Sequence, residues 1–324
     1  MERRFFLRAA GAGLATGLSA AAGQALAQGA SDRTITLIVP FPPGGGTDTS
    51  TRVIVKKMTE NMGQPIVVSN RPGGNTIIGT QALTRATPDG STIALVTNNL
   101  SVNQSLYAGK LPYDISRDIT PVVLTHGNAH VLLVHPSVQA NTFQEFIALC
   151  KKNPGKITFG SAGSGTVNHL SGELLKTMAG IDMLHVPYKG IGTLLPDLLS
   201  GRVDVLFAAL PIAIELTRDK RMRMLAVTTS KRQPEVPDMP AIAEFYPGYE
   251  SSSWFGYVAP GGTAPAIVNR LNGEFLKALK DPEVVKGLVN FEIFGSSPAE
   301  FAEFIKNDVV KQTKLIQTAN VKVD

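Results

Sequence analysis

Pro40-Phe41-Pro42-Pro43-Gly44-Gly45-Gly46-Thr47-Asp48 separates two different periodicities. Before it runs Ile35-Thr36-Leu37-Ile38-Val39, short, apolar and rich in β-branched residues, as a buried strand requires. After it, Thr51, Ile54, Met58 and Met62 fall on one face at helical spacing. The stretch is therefore a strand-to-helix turn. Prolines stiffen its start and remove N–H donors. The glycines let the backbone bend and let a ligand come close to the remaining amides. Thr47 or Asp48 is placed to cap the helix. Free N–H groups at a helix start, helped by the helix dipole, form an anion site. A tight connection with no ligand would use the same residues.

Outward from this turn, the first half of the chain alternates strands and helices, which predicts α/β architecture around a mainly parallel sheet. Ile66-Val67-Val68 reads as a second strand, closed by Asn70-Arg71-Pro72-Gly73-Gly74. A helix from about Asn75 to Ala86 is expected to bury Ile78, Ala82 and Leu83. A third strand, Thr92 to Val96, ends at Thr97-Asn98-Asn99. In open α/β sheets ligands sit at the carboxyl ends of strands, and two such ends are polar or glycine-rich here.

Two apolar runs follow, Val122-Val123-Leu124 and Val131-Leu132-Leu133-Val134, with Gly127 between them. Thr142-Phe143-Gln144-Glu145 is a capping box. It opens a helix whose apolar face carries Phe143, Phe146, Ile147 and Cys150, the sole cysteine, which excludes an internal disulfide and reads as a core residue. Ile157-Thr158-Phe159 then enters a second flexible turn, Gly160-Ser161-Ala162-Gly163-Ser164-Gly165-Thr166, followed by a helix expected to bury Val167, Leu170, Leu174 and Met178. Met183 to Val186 is a strand ending in Pro187-Tyr188-Lys189-Gly190. Later strands fall at Val203 to Phe207, Met224 to Val227 and Trp254 to Ala259, and Ser297-Pro298-Ala299-Glu300 opens a final helix.

The 324 residues allow about two domains, and 43% hydrophobic against 18% charged residues supports a sizeable core. No Lys/Arg run exceeds two residues, so there is no nucleic-acid footprint in the net charge of +5. Residues 1–27 read as an export signal: Arg3-Arg4-Phe5-Phe6-Leu7 is a twin-arginine pattern, Ala9 to Ala22 an apolar small-residue core, and Ala25-Leu26-Ala27 a cleavage site after Ala27. The expected location is a periplasm. Several chemistries lack their residues. His126, His130 and His135 have no carboxylate or Cys partner at metal spacing, so no metal or other cofactor is expected. The 160–166 turn is neither G-x-G-x-x-G nor G-x-S-x-G, and no G-x-x-x-x-G-K-[ST] is present. Ser164 with His169 offers a nucleophile and base, but no third group orients the pair. An enzyme is not the expected class; an exported α/β enzyme and a periplasmic sensor are the alternatives.

Taken together, VPFPPGGGTD (39–48), NRPGG (70–74), LPYD (111–114), SAGSGTVNHL (161–170), HVPYKG (185–190) and SSWFGYVAPGGT (252–263) make the chain resemble the substrate-binding proteins of tripartite tricarboxylate transporters, the Bordetella uptake gene (Bug) family. The resemblance implies a two-lobed periplasmic-binding-protein (type II) architecture with two crossover strands and a ligand cleft between the lobes. Lobe 1 is expected at 28–125 with 251–324 and lobe 2 at 126–250. It implies binding of a small carboxylate and its delivery to membrane permease subunits; a monomer is expected. Carried over by motif, the loop of Phe41, Pro43, Gly44, Gly45, Gly46, Thr47 and Asp48 would hold one carboxylate through backbone amides and ordered water. Ser161, Ala162, Gly163, Ser164, Gly165, Thr166 and His169 would hold the other end. Asn98, Asn99, Tyr188, Lys189, Ala208 and Ala209 would complete the wall. Many relatives place Asp, often with Asn, after the strand ending in Phe207, and here both positions are Ala. A wall without a carboxylate leaves an ammonium unpaired, so a plain dicarboxylate is expected over an amino acid.

Overall fold

The computed structural model describes residues 34–289, 291–319 and 321; the export signal and its cleavage point lie outside the described residues. In chain order, β1 (Ile35–Val39), α1 (Gly46–Met62), β2 (Ile66–Asn70), α2 (Ile77–Thr84), β3 (Thr92–Thr97), α3 (Asn99–Leu106) and α4 (Ile115–Asp118) lead into β4 (Ile119–Val134). Then come α5 (Phe143–Lys152), β5 (Thr158–Ser161), α6 (Val167–Ala179), β6 (Leu184–Pro187), α7 (Ile191–Leu199), β7 (Val205–Ala209), α8 (Leu210–Arg218) and β8 (Arg223–Val227). The chain returns through β9 (Ser252–Pro260), α9 (Pro265–Leu279), α10 (Pro282–Gly287), β10 (Glu292–Ile293) and α11 (Pro298–Thr318).

The strand order is β2-β1-β3-β9-β4-β7-β5-β6, with β10 and β8 also on β4. The two apolar runs flanking Gly127 are thus one strand of 16 residues, shared by both lobes. β4 pairs with β9 up to Ala129 and with β7 from His130 onward. Gly127 is no break: a Cβ there would stand 2.7 Å from the Ser253 carbonyl oxygen, so glycine is what admits the partner strand. The return from lobe 2 passes through Thr228, whose N–H bonds to His130 O (2.9 Å) and whose carbonyl accepts from Ser251 N–H (2.9 Å).

Alternate residues of each sheet feed opposite cores, as a two-residue period requires. In lobe 1, Leu37 and Val39 pack with Ile54, Met58, Leu271 and Phe275, while Ile38 packs on the other face with Leu83, Trp254 and Phe301. In lobe 2, Leu132 and Phe207 meet Phe143, Phe146 and Cys150, while Leu133 and Ala208 meet Leu194 and Leu198. Burial pushes the Cys150 thiol up to about 12, in keeping with a core residue.

Local departures have local causes. α2 starts two residues later than its apolar spacing predicts, because Asn75 and Thr76 hold positive φ of 51° and 75°. Ile78 is 53% exposed rather than buried, its side chain lying over Gly73. On α6 Leu174 and Met178 are only half-buried, while Asn168, His169, Ser171 and Glu173 are buried. The Phe159 ring lies 2.4 Å from where a Gly172 Cβ would stand, so this helix sinks onto β5 by its polar side.

Candidate ligand cleft

Strand directions define a candidate cleft. β1 and β3 run parallel to each other, and β3 and β4 are each antiparallel to β9, so their carboxyl ends point toward lobe 2. β5, β6 and β7 are mutually parallel and run against β4, so their carboxyl ends point toward lobe 1. Thr97 stands across β9 from His126, and Ala209 pairs with His130. Along β4 that separation is about 13 Å, the room a small molecule needs between two polar walls.

In lobe 1 the turn begins at Pro40, bends at Gly44 (φ 81°) and enters α1 with Gly45 as its N-cap. No side chain caps this helix, so the expected cap from Thr47 or Asp48 is replaced. Asp48 instead sits at the third helical position and turns its carboxylate back. Its Oδ2 accepts from the Gly44 N–H (3.0 Å) and from Arg52 Nε (2.8 Å), and its Oδ1 accepts from Asn70 Nδ2 (2.9 Å). The Arg52 hydrogen bond first, then Gly44 and Asn70, hold the Asp48 carboxyl down at about 2 against the opposing effect of burial. The Gly44 amide is thus used within the turn, while Pro43 and Gly44 to Gly46 stay exposed and Phe41 and Thr47 half-buried. Gly46 and Thr47 head α1, where amides have no carbonyl to reach within the helix. Asn70 also donates to Phe41 O (3.0 Å), which ties the β2 end to the turn.

In lobe 2 the same device recurs with different chemistry. Thr166 is the N-cap of α6, yet its hydroxyl donates to Gly163 O (2.7 Å) instead of capping. At the third helical position His169 accepts the Gly165 N–H on Nδ1 (3.0 Å). His169 stacks on His185, with centroids 3.8 Å apart and planes 11° from parallel. His185 Nε2 is 2.7 Å from Ser161 Oγ, which accepts from the Gly163 N–H at 3.1 Å. Ser161 is buried beneath the turn, while Ala162, Gly163 and Ser164 are half-buried along it.

The lobes meet where this turn touches α3. A Cβ on Gly165 would stand 2.6 Å from the Leu106 side chain and 3.5 Å from Asn75 Nδ2. Asn75 belongs to an amide network: it accepts from Asn99, its Nδ2 donates to Asn103 Oδ1 (2.8 Å), and Asn103 Nδ2 donates to its carbonyl (2.8 Å). Leu170 of lobe 2 packs beside the contact with Val102 and Ile316 of lobe 1. Asn75, Asn103 and His185 were not among the residues read from the chain as site candidates. Asn99 and Asn103, four apart and so on one helix face, were the signal for two members of the network.

Other wall residues are engaged elsewhere. Asn98 is buried between strands, donating to Ser252 O (3.0 Å) and accepting from the Trp254 N–H (3.0 Å). The Tyr188 hydroxyl donates to Asp197 (2.8 Å) within lobe 2, and Lys189 is exposed. Ala208 is buried in the core and Ala209 is half-buried at the start of α8. Among the described residues no three His, Cys, Asp or Glu side chains are grouped to hold a metal, and no helix is long and apolar enough to cross a membrane.

Comparison with known proteins bears on the fold and the family. BugT of Bordetella pertussis is 33% identical, over 90% of each chain. An adipate-bound protein of Rhodopseudomonas palustris is 33% identical, with a TM-score of 0.81 over 90% of this chain and 99% of that one. MatC of the same organism, solved with bound malate, is 28% identical, with a TM-score of 0.77 over 88% of this chain and 99% of that one. The model of the tripartite tricarboxylate transporter family receptor (TctC) matches residues 50–321, and on that span the chain belongs to this family of binding receptors.

Proposed function

We propose that the protein is an exported, monomeric solute receptor. It would hold a small dicarboxylate between its lobes and deliver it to a tripartite tricarboxylate-type permease. The lobes, 28–125 with 251–324 against 126–250, would close about the point where β4 changes partner. The observation that carries this reading is the pair of glycine turns, each heading a helix, on strand ends that point at each other across the cleft. Each helix start favours an anionic group by about 0.3–1 kcal/mol, more where water is excluded. Adipate and malate, held by two relatives of the same fold, are both dicarboxylates.

The rejection of amino acids follows from the same walls. An ammonium needs a counter-charge. The Asp48 carboxylate is occupied by Gly44, Arg52 and Asn70, and Ala209, at the end of β7, brings no carboxylate. A thermal-shift screen of organic acids, followed by calorimetry, tests the reading, because a ligand that binds only the folded state raises the melting temperature. Adipate, succinate or malate is expected to bind more tightly than aspartate and glutamate. Tighter binding of the amino acids would sink the dicarboxylate assignment, and no response to any carboxylate would sink the receptor reading.

A further inference from the structure

Both glycine turns are closed by a side chain that reaches back four residues from the third position of its helix. Asp48 takes the Gly44 N–H at 3.0 Å, and His169 Nδ1 takes the Gly165 N–H at 3.0 Å. The first acceptor is a carboxylate and the second an imidazole. We infer that His169 is a positioning residue that shapes the lobe 2 turn only while its imidazole is neutral, so that ligand capture weakens in acid. The ligand half of this inference rests on the proposed function; the turn half does not.

The geometry leaves one arrangement of protons. An N–H donates, so Nδ1 of His169 presents its lone pair to Gly165 and the ring proton sits on Nε2. A second proton would land on Nδ1 and set N–H against N–H. The turn would then lose one of the bonds at its C-terminal end, keeping those from the Thr166 hydroxyl and N–H to Gly163 O. Its N-terminal end depends on the neighbouring ring, because Ser161 Oγ lies 2.7 Å from His185 Nε2. The two imidazoles stack at 3.8 Å, so a proton on one raises the cost of a proton on the other.

Charge reaches the pair from α6. On α6 itself Glu173 stands 3.8 Å from His169 Nε2 and is held by Lys176 at 3.0 Å. From β6 comes His185, and from β5 the uncharged Phe159, whose ring stacks on both histidines. On the lobe 1 side of Gly165 stand Leu106, Val102 and Asn75, none of them charged. Glu173 favours the protonated ring and Lys176 opposes it. The lobe 1 closure does not titrate in the same range, because Asp48 is held down at about 2. Between about pH 6.5 and 8 ligand carboxylates also stay ionised, so a fall in affinity there is not the ligand's own protonation.

The test uses the full chain with two variants. Asn at 169 keeps a short oxygen acceptor that does not titrate, as Asp48 offers in lobe 1, and Leu removes the acceptor. NMR of the ring nitrogens and hydrogen exchange of the Gly165 amide are followed from about pH 8 to 5.5 without ligand. Calorimetry then measures adipate and malate from about pH 8 to 6.5. The expected result is loss of Gly165 protection in step with protonation of His169. Wild-type affinity should fall on acidification, by up to about tenfold per pH unit once the ring titrates. H169N should recover most of the affinity that H169L loses, and its pH profile should be flat. Gly165 protection that ignores His169 protonation would overturn the inference, as would H169N binding as weakly as H169L, the mark of a direct ligand contact. Failure of both acids to bind would count against the proposed function, while the exchange data would still decide the role of His169.

Discussion

A carboxylate near a helix start usually accepts whatever amide is closest, and Asp48 accepts from three different sources at once: Gly44, Arg52 and Asn70. Its pKa is lowered from 3.8 to about 2, which makes a statement about stability. The folded carboxyl is depressed below its unfolded value, so the contribution is complete above about pH 4 and is lost as pH falls toward 2. That lowering corresponds to about 2 kcal/mol, reduced to about 1 because Arg52 is half exposed to water. D48N should therefore be about 1 kcal/mol less stable than wild type in urea at pH 7, and the gap should narrow between pH 4 and 2; a constant gap would mean that the charge is not what stabilises the turn. The glycines beside it differ in what they tolerate. Gly45 has φ −75° and ψ 165°, extended values open to valine, and only Pro42 O, at 3.8 Å, would meet its Cβ. Gly44, at φ 81°, would strain any other residue. Gly45→Val is thus the clean probe of amide access: a normal circular dichroism spectrum with strongly reduced adipate or malate affinity is expected, and unchanged affinity would remove this turn from the site. The composition of both turns was legible from residues alone, but which amide each side chain takes was not, because a cap and a back-reaching third residue use the same residue types.

At the scale of the element, local signals located the pieces and tertiary contacts adjusted them. β1 covers the residues its apolar run predicts, and the capping boxes at Thr142 and Ser297 open α5 and α11 as read. β4 was less legible. Thr125-His126-Gly127-Asn128 carries polar residues that look like a connection, yet His126 is buried against Phe255, with ring centroids 4.7 Å apart. Its neighbours decide, since β9 and β10 pair on either side of Gly127. α6 shows the same limit, because an apolar stripe cannot reveal that Phe159 occupies the space a side chain at 172 would need. Gly172→Ala should lift this helix from β5 at a cost of about 1–3 kcal/mol. Because the helix also carries Thr166 and His169, ligand affinity should fall with stability; a variant that loses stability alone would show that the position of α6 does not matter to the site.

For the whole molecule, the lobed arrangement came from the six motifs in order, since nothing in the local patterning says that a strand leaves one sheet and joins another. The structure supplies that fact: β4 is one unbroken run from Ile119 to Val134, with β9 beside its first part and β7 and β8 beside its last. The two ladders occupy successive stretches of this one strand, so disorder in one lobe frays the strand with which the other pairs. Lobe 1 also needs both ends of the chain, whose β1 and β9 flank β3 in one sheet. Two lobes that share a strand should lose their order together, although a chain of 324 residues is long enough for separate domains to melt separately. Scanning calorimetry is expected to give a single peak whose calorimetric enthalpy equals its van't Hoff enthalpy, and two resolved transitions would refute this coupling. A strand common to both lobes would thereby make the protein one cooperative unit, in which damage to either lobe is felt as lost stability in both.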